Sequence, residues 1–305
     1  MLPFKAIYHD GYDLNLGAHV FPSQKFRLIK EKLLADGIAS PGDILAPAPA
    51  EDEGVLRVHT PDYVRKLKTG ELSPTEIMRM EIPYSRALMD ACWLAAGGSI
   101  LAGQRALADG AASNIGGGFH HAYPDHGEGF CVLHDVAIAI RKLQFDGRIE
   151  RAMVVDTDVH QGNGTAAIFG RDESVYTLSI HQENNYPSHK PPSTCDINLP
   201  DGVGDPEYLS MLEDGVREAF EDFGAQILFY VAGADPYCED QLGGLMLTID
   251  GLRKRDELVF DYARRNGVPV VTTLAGGYAR RIADTVQIHV NTIAALRDSI
   301  AGRTT

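Results

Sequence analysis

Ala152-Met153-Val154-Val155-Asp156-Thr157-Asp158-Val159-His160 changes character halfway along. An unbroken apolar run gives way to carboxylates and an imidazole at alternate positions. A short continuous apolar run is the pattern of a strand covered on both faces, as in a parallel sheet. Residues 6–8, 175–180, 227–231 and 268–274 are further runs of this kind. Helix signals lie between them. Ser23 is placed to cap a helix with Phe26, Ile29 and Leu33 on one face, and Thr60-Pro61-Asp62 supplies a capping hydroxyl, a first-turn proline and an acid. Asp205-Pro206-Glu207 repeats that logic before Leu209, Leu212, Val216 and Phe220; Asp135 does so before the apolar run 136–140, and Leu252, Val259 and Tyr262 mark another helix. The proline-rich stretches 41–50 and 186–193 read as loops. Strands alternating with helices predict an α/β chain, a single-domain three-layer α/β/α sandwich around a central, mostly parallel sheet. No linker or repeat divides residues 1–305.

Ligands of open α/β sheets bind beyond the carboxyl ends of the strands, so the residues that follow each run matter most. After 152–155 come Asp156, Asp158 and His160; after 227–231 comes Asp235; after 268–274 come Gly276, Gly277 and Tyr278. A short run at 113–115 is followed by Gly116-Gly117-Gly118-Phe119-His120-His121. Four distant segments would meet at one rim.

Asp158 and His160, two apart on an extended segment, point to the same side. With Asp235 they make three ligands, which leaves room for water and substrate in the manner of a catalytic metal site. Oxygen and nitrogen donors suit Zn²⁺, with Fe²⁺, Co²⁺ and Mn²⁺ also accommodated. The plainer alternative is an acidic loop holding a structural histidine. His120 and His121 offer a base and an electrostatic partner, with Asp156 the nearest carboxylate to orient a ring. The Tyr278 phenol, swung over the metal by two glycines, could donate to a developing oxyanion. Gly129, Phe130 and Tyr186 are candidates for the walls of a narrow slot.

Composition narrows the remaining choices. Hydrophobic residues make up 44% of the chain, enough for a large core, and the formal charge of −14 disfavours direct nucleic-acid binding. The start lacks the pattern of a signal peptide. The longest apolar tract, 87–103, is interrupted by Asp90 and diluted by glycines, so it reads as a buried helix rather than a membrane span. The four cysteines, at 92, 131, 195 and 238, have no short spacing, which points to a reduced, cytoplasmic setting.

These residues, in this order, resemble the histone deacetylase family of the arginase–deacetylase fold. The resemblance runs through HVFP at 19–22, HTPDY at 59–63, GGGFHHA, GFC, DTDVHQGNG, LSIH, AGADPYCEDQLGG, GLRKRDELVF and LAGGY. The combination of GGGFHHA, HQGNG and KRDELVF is most similar to the class IV branch. The resemblance implies a metal held by Asp158, His160 and Asp235. It implies His121 as general base and then acid, His120 paired with Asp156, and Tyr278 on the carbonyl. Gly129, Phe130 and Tyr186, with Gly276 and Gly277, would border an acyl-lysine channel. It also implies structural K⁺ near Asp156, Asp158, His160, Ser179 and Ile180, and again near Phe169, Asp172 and Val175. Where the class I pattern has an aspartate beside the second histidine, this chain has Asn163. An amide orients the ring without adding charge, so His121 is expected to be less basic than its class I counterpart; class IV shares the asparagine. No equivalent of the class I rim acid is evident in the sequence.

The implied reaction is hydrolysis of acetyl or longer acyl groups from acyl-lysine in a protein or peptide. One rival is a small-molecule amidohydrolase such as an acetylpolyamine deacetylase. Another is a catalytically silent acyl-lysine-binding module. Arginase chemistry needs two metals and more carboxylates than this set provides.

Overall fold

The computed structural model describes residues 1–14, 16–17 and 19–302. In chain order its elements are β1 (Lys5–Ile7), α1 (Lys25–Ala35), β2 (Ile44–Leu45), α2 (Asp52–Val55), α3 (Pro61–Thr69), α4 (Pro74–Met80), α5 (Arg86–Asp109), β3 (Ala111–Asn114) and α6 (Asp135–Phe145). They continue with β4 (Ala152–Asp156), α7 (Asn163–Phe169), β5 (Val175–Gln182), β6 (Cys195–Leu199), α8 (Asp205–Asp222), β7 (Ile227–Ala232), α9 (Ile249–Arg265), β8 (Val270–Leu274) and α10 (Ile282–Ala301). The strands form one sheet of eight in the order β2-β1-β3-β8-β7-β4-β5-β6, and every pairing is parallel.

Alternation along the central strands explains the three layers. Met153, Val155, Leu228 and Tyr230 face one core with Phe26, Leu212, Val259 and Ile293 from α1, α8, α9 and α10. Ala152, Val154, Ile227 and Phe229 face the other, with Ala102, Val136, Ile140 and Leu143 from α5 and α6. Both faces are apolar, so the strands read as continuous runs. A smaller cluster packs Val55, Tyr63, Leu67 and Met80 against α5.

The tract at 87–103 lies within α5 as a core helix. Among the described residues, no helix is long and apolar enough to cross a membrane. Thr60 caps α3 as expected, accepting from Tyr63 N at 3.4 Å.

Three other expected caps do different work. Ser23 does not cap α1, whose N-cap is Gln24; its hydroxyl accepts from Leu14 N and donates to Leu14 O. Asp205 is already helical and accepts from Thr248 N at 2.8 Å, tying α8 to the start of α9. His134, not Asp135, caps α6. The stretch 41–50 is not all loop, since it contains β2. Strands β2 and β6 are the sheet's two edges, short or partly exposed, which is why their apolar signal is weak.

Candidate active site

All the strands run parallel, so their carboxyl ends share one edge of the sheet, and the candidate residues lie there. β4 ends in Asp156, and the turn beyond it folds back on itself. Asp158 N donates to Asp156 Oδ1 at 3.1 Å and His160 N to Asp158 Oδ1 at 3.0 Å. The segment after β7 brings Asp235 alongside, its Oδ1 accepting from Val159 N at 2.9 Å. The segment after β8 closes the third side, with Gly276 N donating to Asp158 Oδ2 at 2.8 Å. A Cβ on Gly276 would collide with Asp235 Oδ2, so only glycine permits this approach.

Asp158, His160 and Asp235 are buried, and each offers a ligand atom within 4.8 Å of the others. His160 Nδ1 is 2.9 Å from Asp158 Oδ1 and 3.4 Å from Asp235 Oδ2. Asp235 Oδ2 has no hydrogen-bond donor despite complete burial. Burial, with the Asp158 charge beside it, pushes the Asp235 carboxyl up to about 7. Burial disfavours a charged His160, but Asp158 and Asp235 outweigh it and raise the imidazole to about 10. The cluster therefore has a strong demand for positive charge, and an orphaned oxygen with a convergent nitrogen fits one divalent cation. This donor set does not choose between zinc and iron.

Behind the cluster stands a buried guanidinium. Arg255 donates to Gly233 O at 2.6 Å and Thr157 O at 3.3 Å, carbonyls that neighbour the two carboxylate ligands. Asp256 pairs with Arg255 at 2.8 Å and accepts from Tyr230 and Thr292 at 2.6 Å each. In sequence, Lys254-Arg255-Asp256-Glu257 has the look of a solvated helix face. Only their spacing from Leu252 and Val259 hints that Arg255 and Asp256 face inward.

The two histidines sit side by side, ring centroids 4.0 Å apart. His120 Nδ1 is 2.6 Å from Asp156 Oδ2. Burial opposes its charged form, but Asp156 and Asp158 prevail and raise it to about 9. His121 Nδ1 is 2.6 Å from Asn163 Oδ1. Burial, then the cationic His120 and His160, hold His121 well below the usual histidine range, so it stays neutral. Asp135, first residue of α6, fixes the loop that carries both, accepting from Gly118 N and Phe119 N at 3.1 and 2.8 Å.

Tyr278 is pinned through its backbone, its N–H donating to Asp240 Oδ2 at 2.7 Å. Burial and the nearby Asp158 and Asp235 raise its phenol well above 10, so it remains a donor. A cleft of about 310 Å³ leads inward past Glu81, Gly129, Phe130, Tyr186 and Leu242 to His121, His160 and Tyr278. A small cavity of about 20 Å³ continues past the ligands, bordered by Phe21, Phe26, Gly276 and Leu274. Buried beside these phenylalanines, the Lys25 ammonium donates to Ala275 O, and burial lowers it to about 8.

Sequence reading did not single out Glu81, Glu128, Lys25, Arg255 or Leu242. Of the residues expected near K⁺, Ser179 Oγ lies 3.0 Å from His181 Nδ1. Asp172 pairs with Arg141 at 2.6 Å and accepts from Ser174, so its carboxylate is already engaged by the protein.

The parallel three-layer fold and the open-faced Asp–His–Asp cluster are those of a metal-dependent hydrolase. Residues 19–293 match the histone deacetylase domain. The chain belongs to that family. It is 40% identical over 296 residues to an uncharacterized protein of Picosynechococcus sp., covering 97% of this chain and 99% of that one. It is 33% identical to histone deacetylase 2 of Arabidopsis thaliana, covering 92% and 77% of the two chains. The crystal structure of a histone deacetylase homolog from Aquifex aeolicus superposes with a TM-score of 0.82 at 24% identity, covering 96% of this chain and 84% of that one. At that identity the superposition speaks for the fold alone.

Proposed function

We propose that this chain, as one catalytic domain, hydrolyses acyl-lysine in proteins or peptides, releasing the free amine and a carboxylate. The observation that carries the reading is the meeting of a neutral buried imidazole, a protonated phenol and the three-ligand cluster at the end of one cleft. Asp158, His160 and Asp235 would hold the cation, which the family resemblance makes Zn²⁺, with Fe²⁺ the alternative. When bound, it would polarise the acyl carbonyl and acidify a water.

The chain's own groups account for the rest. His121 Nε2 takes the proton from the attacking water, since Nδ1 faces Asn163. His120, kept cationic by Asp156, favours the negative charge that develops. The Tyr278 phenol donates to the carbonyl oxygen as it becomes an oxyanion. His121 then returns its proton to the leaving lysine nitrogen. Phe130 and Tyr186 flank the lysine's methylene chain, with Gly129 between the walls and Gly276 and Gly277 at the inner end.

The cavity of about 20 Å³ past the ligands has room for roughly one small group. This favours acetyl over octanoyl or myristoyl. The class IV assignment rests on the three motifs above, and the K⁺ and cytoplasmic readings rest on the resemblance and on the unpaired cysteines.

A second substrate class has one observation in its favour. The Glu81 carboxylate at the cleft mouth would meet the distal amine of an acetylated polyamine. Turnover of acetyl-, octanoyl- and myristoyl-lysine peptides and of acetylated polyamines, with metal content measured in parallel, tests all of this. Fast acetyl-lysine turnover is expected. A metal-loaded protein inert to the whole panel overturns the reading in favour of a silent binding module.

A further inference from the structure

Asn163 contacts His121 through an amide, and an amide can be turned either way. With Oδ1 towards the ring, His121 carries its proton on Nδ1 and leaves Nε2 free to act as base. With Nδ2 towards the ring, Nδ1 must accept, the proton moves to Nε2, and the base is lost. The group on the far side of Asn163 decides between these states.

That group is Glu128. Its Oε1 accepts from Asn163 Nδ2 at 2.8 Å and from the Tyr186 hydroxyl at 2.9 Å. Its Oε2 lies 3.3 Å from His126 Nε2. An ionised carboxylate only accepts, so it can meet Asn163 only through the amide nitrogen. Burial works against the charged carboxylate, but donation from His126, Tyr186 and Asn163 outweighs it and keeps Glu128 below the usual glutamate range.

Backbone geometry holds Glu128 in place. Glu128 N donates to Cys131 O at 3.0 Å and Cys131 N to Glu128 O at 2.9 Å, across a turn whose central residues, Gly129 and Phe130, have φ of 52° and 65°. This is the pattern of a type I′ turn, and a phenylalanine there is strained. Phe130 N donates to Met80 O at 2.9 Å, anchoring the turn. A Cβ on Gly129 would lie 2.7 Å from His121 Cδ2, so the turn packs directly on the imidazole.

We propose that Glu128 is a positioning residue for the reaction: through Asn163 it holds His121 with Nε2 unprotonated, and it supplies at one remove the negative charge that a carboxylate at 163 would supply in contact. The inference rests on the reading of His121 as base.

The test is a cycle of Glu128→Gln, Asn163→Asp and the double variant, assayed in the metal-loaded enzyme. Glu128→Gln should lower kcat about 10- to 100-fold, part of what a general base contributes, with KM within about twofold. Asn163→Asp alone sets two carboxylates against each other and should also be impaired. Adding Glu128→Gln to Asn163→Asp should raise kcat, because the glutamine amide can donate to the carboxylate introduced beside His121. A substitution that harms one background and helps the other is not the signature of a fold defect. An equal loss in both backgrounds, or an effect on KM alone, overturns the proposal.

Nitrogen-15 NMR of the imidazoles in the metal-free protein separates the two levels. The proposal expects His121 protonated on Nδ1 in the native chain and a tautomer mixture in Glu128→Gln. His121 protonated on Nε2 in the native chain would overturn the base assignment itself. The Nδ1 tautomer in both proteins, with kcat unchanged, would overturn only the role of Glu128.

Discussion

The inner end of the cleft and its mouth are built by opposite means. At the inner end, Asp158, His160 and Asp235 stand just past central strands, and Arg255 grips the carbonyls of Thr157 and Gly233 from behind. The anchors are buried and charged, and they stay within the layer of the sheet and α9. At the mouth, Glu81 is exposed and Phe130 and Tyr186 are half-buried on loops, and two non-glycine residues there, Glu81 and Phe130, have positive φ. Strand ends hold the candidate ligands, and loops border the cleft that leads to them.

The comparison is open to direct attack. The largest effect belongs to the cluster: Asp235→Ala should abolish turnover and stoichiometric metal binding together, read by kinetics and elemental analysis. Adding Zn²⁺ to metal-free native protein should raise its melting temperature, since ligation at 100 times Kd contributes about 2.7 kcal/mol; Asp235→Ala should not respond.

Tyr278→Phe comes next. It should lower kcat about 10²- to 10³-fold, as for the loss of one oxyanion donor, and leave metal content unchanged. An unaltered rate removes Tyr278 from that role.

Arg255→Met then tests the support behind the cluster. It leaves Asp256 buried without its cation, so urea unfolding should show a loss of about 3–5 kcal/mol, with weakened metal retention. A loss under about 1 kcal/mol would mean that the guanidinium is not what holds the ligand loops.

The smallest effect should lie at the mouth. Phe130→Gly relieves a positive φ worth of order 1–3 kcal/mol. It should keep or gain stability while KM rises severalfold. A kcat loss without a KM change would erase the division between the two ends.

The same division governs what the sequence made legible. Asp156, Asp158, His160, Asp235 and Tyr278 follow apolar runs, and strand-end chemistry has a period and a direction that one chain reveals. Glu128 has no such signal, because its partners Asn163 and Tyr186 lie 35 and 58 residues away on other segments. Asp135 has the outward form of a cap, yet its carboxylate holds the 118–119 loop. Asp205 misleads for the same reason: a short acid at a helix start serves a tertiary partner as readily as its own helix. Arg255 is hidden inside a charged run, where only the helical period of its apolar neighbours could mark it as buried.

Gly276 leaves one last consequence. The residue tolerates ordinary helical or extended backbone as far as φ is concerned, but a methyl group there would occupy the space in front of Asp235 Oδ2. Gly276→Ala would therefore push the Asp235 and Asp158 carboxylates out of place and weaken the hold on a cation, while His121, Tyr278 and the aromatic walls keep their chemistry. A single carbon atom would then distinguish a chain that holds its cation from one of the same fold that does not, which makes this position a ready-made control for telling metal-dependent turnover from mere binding.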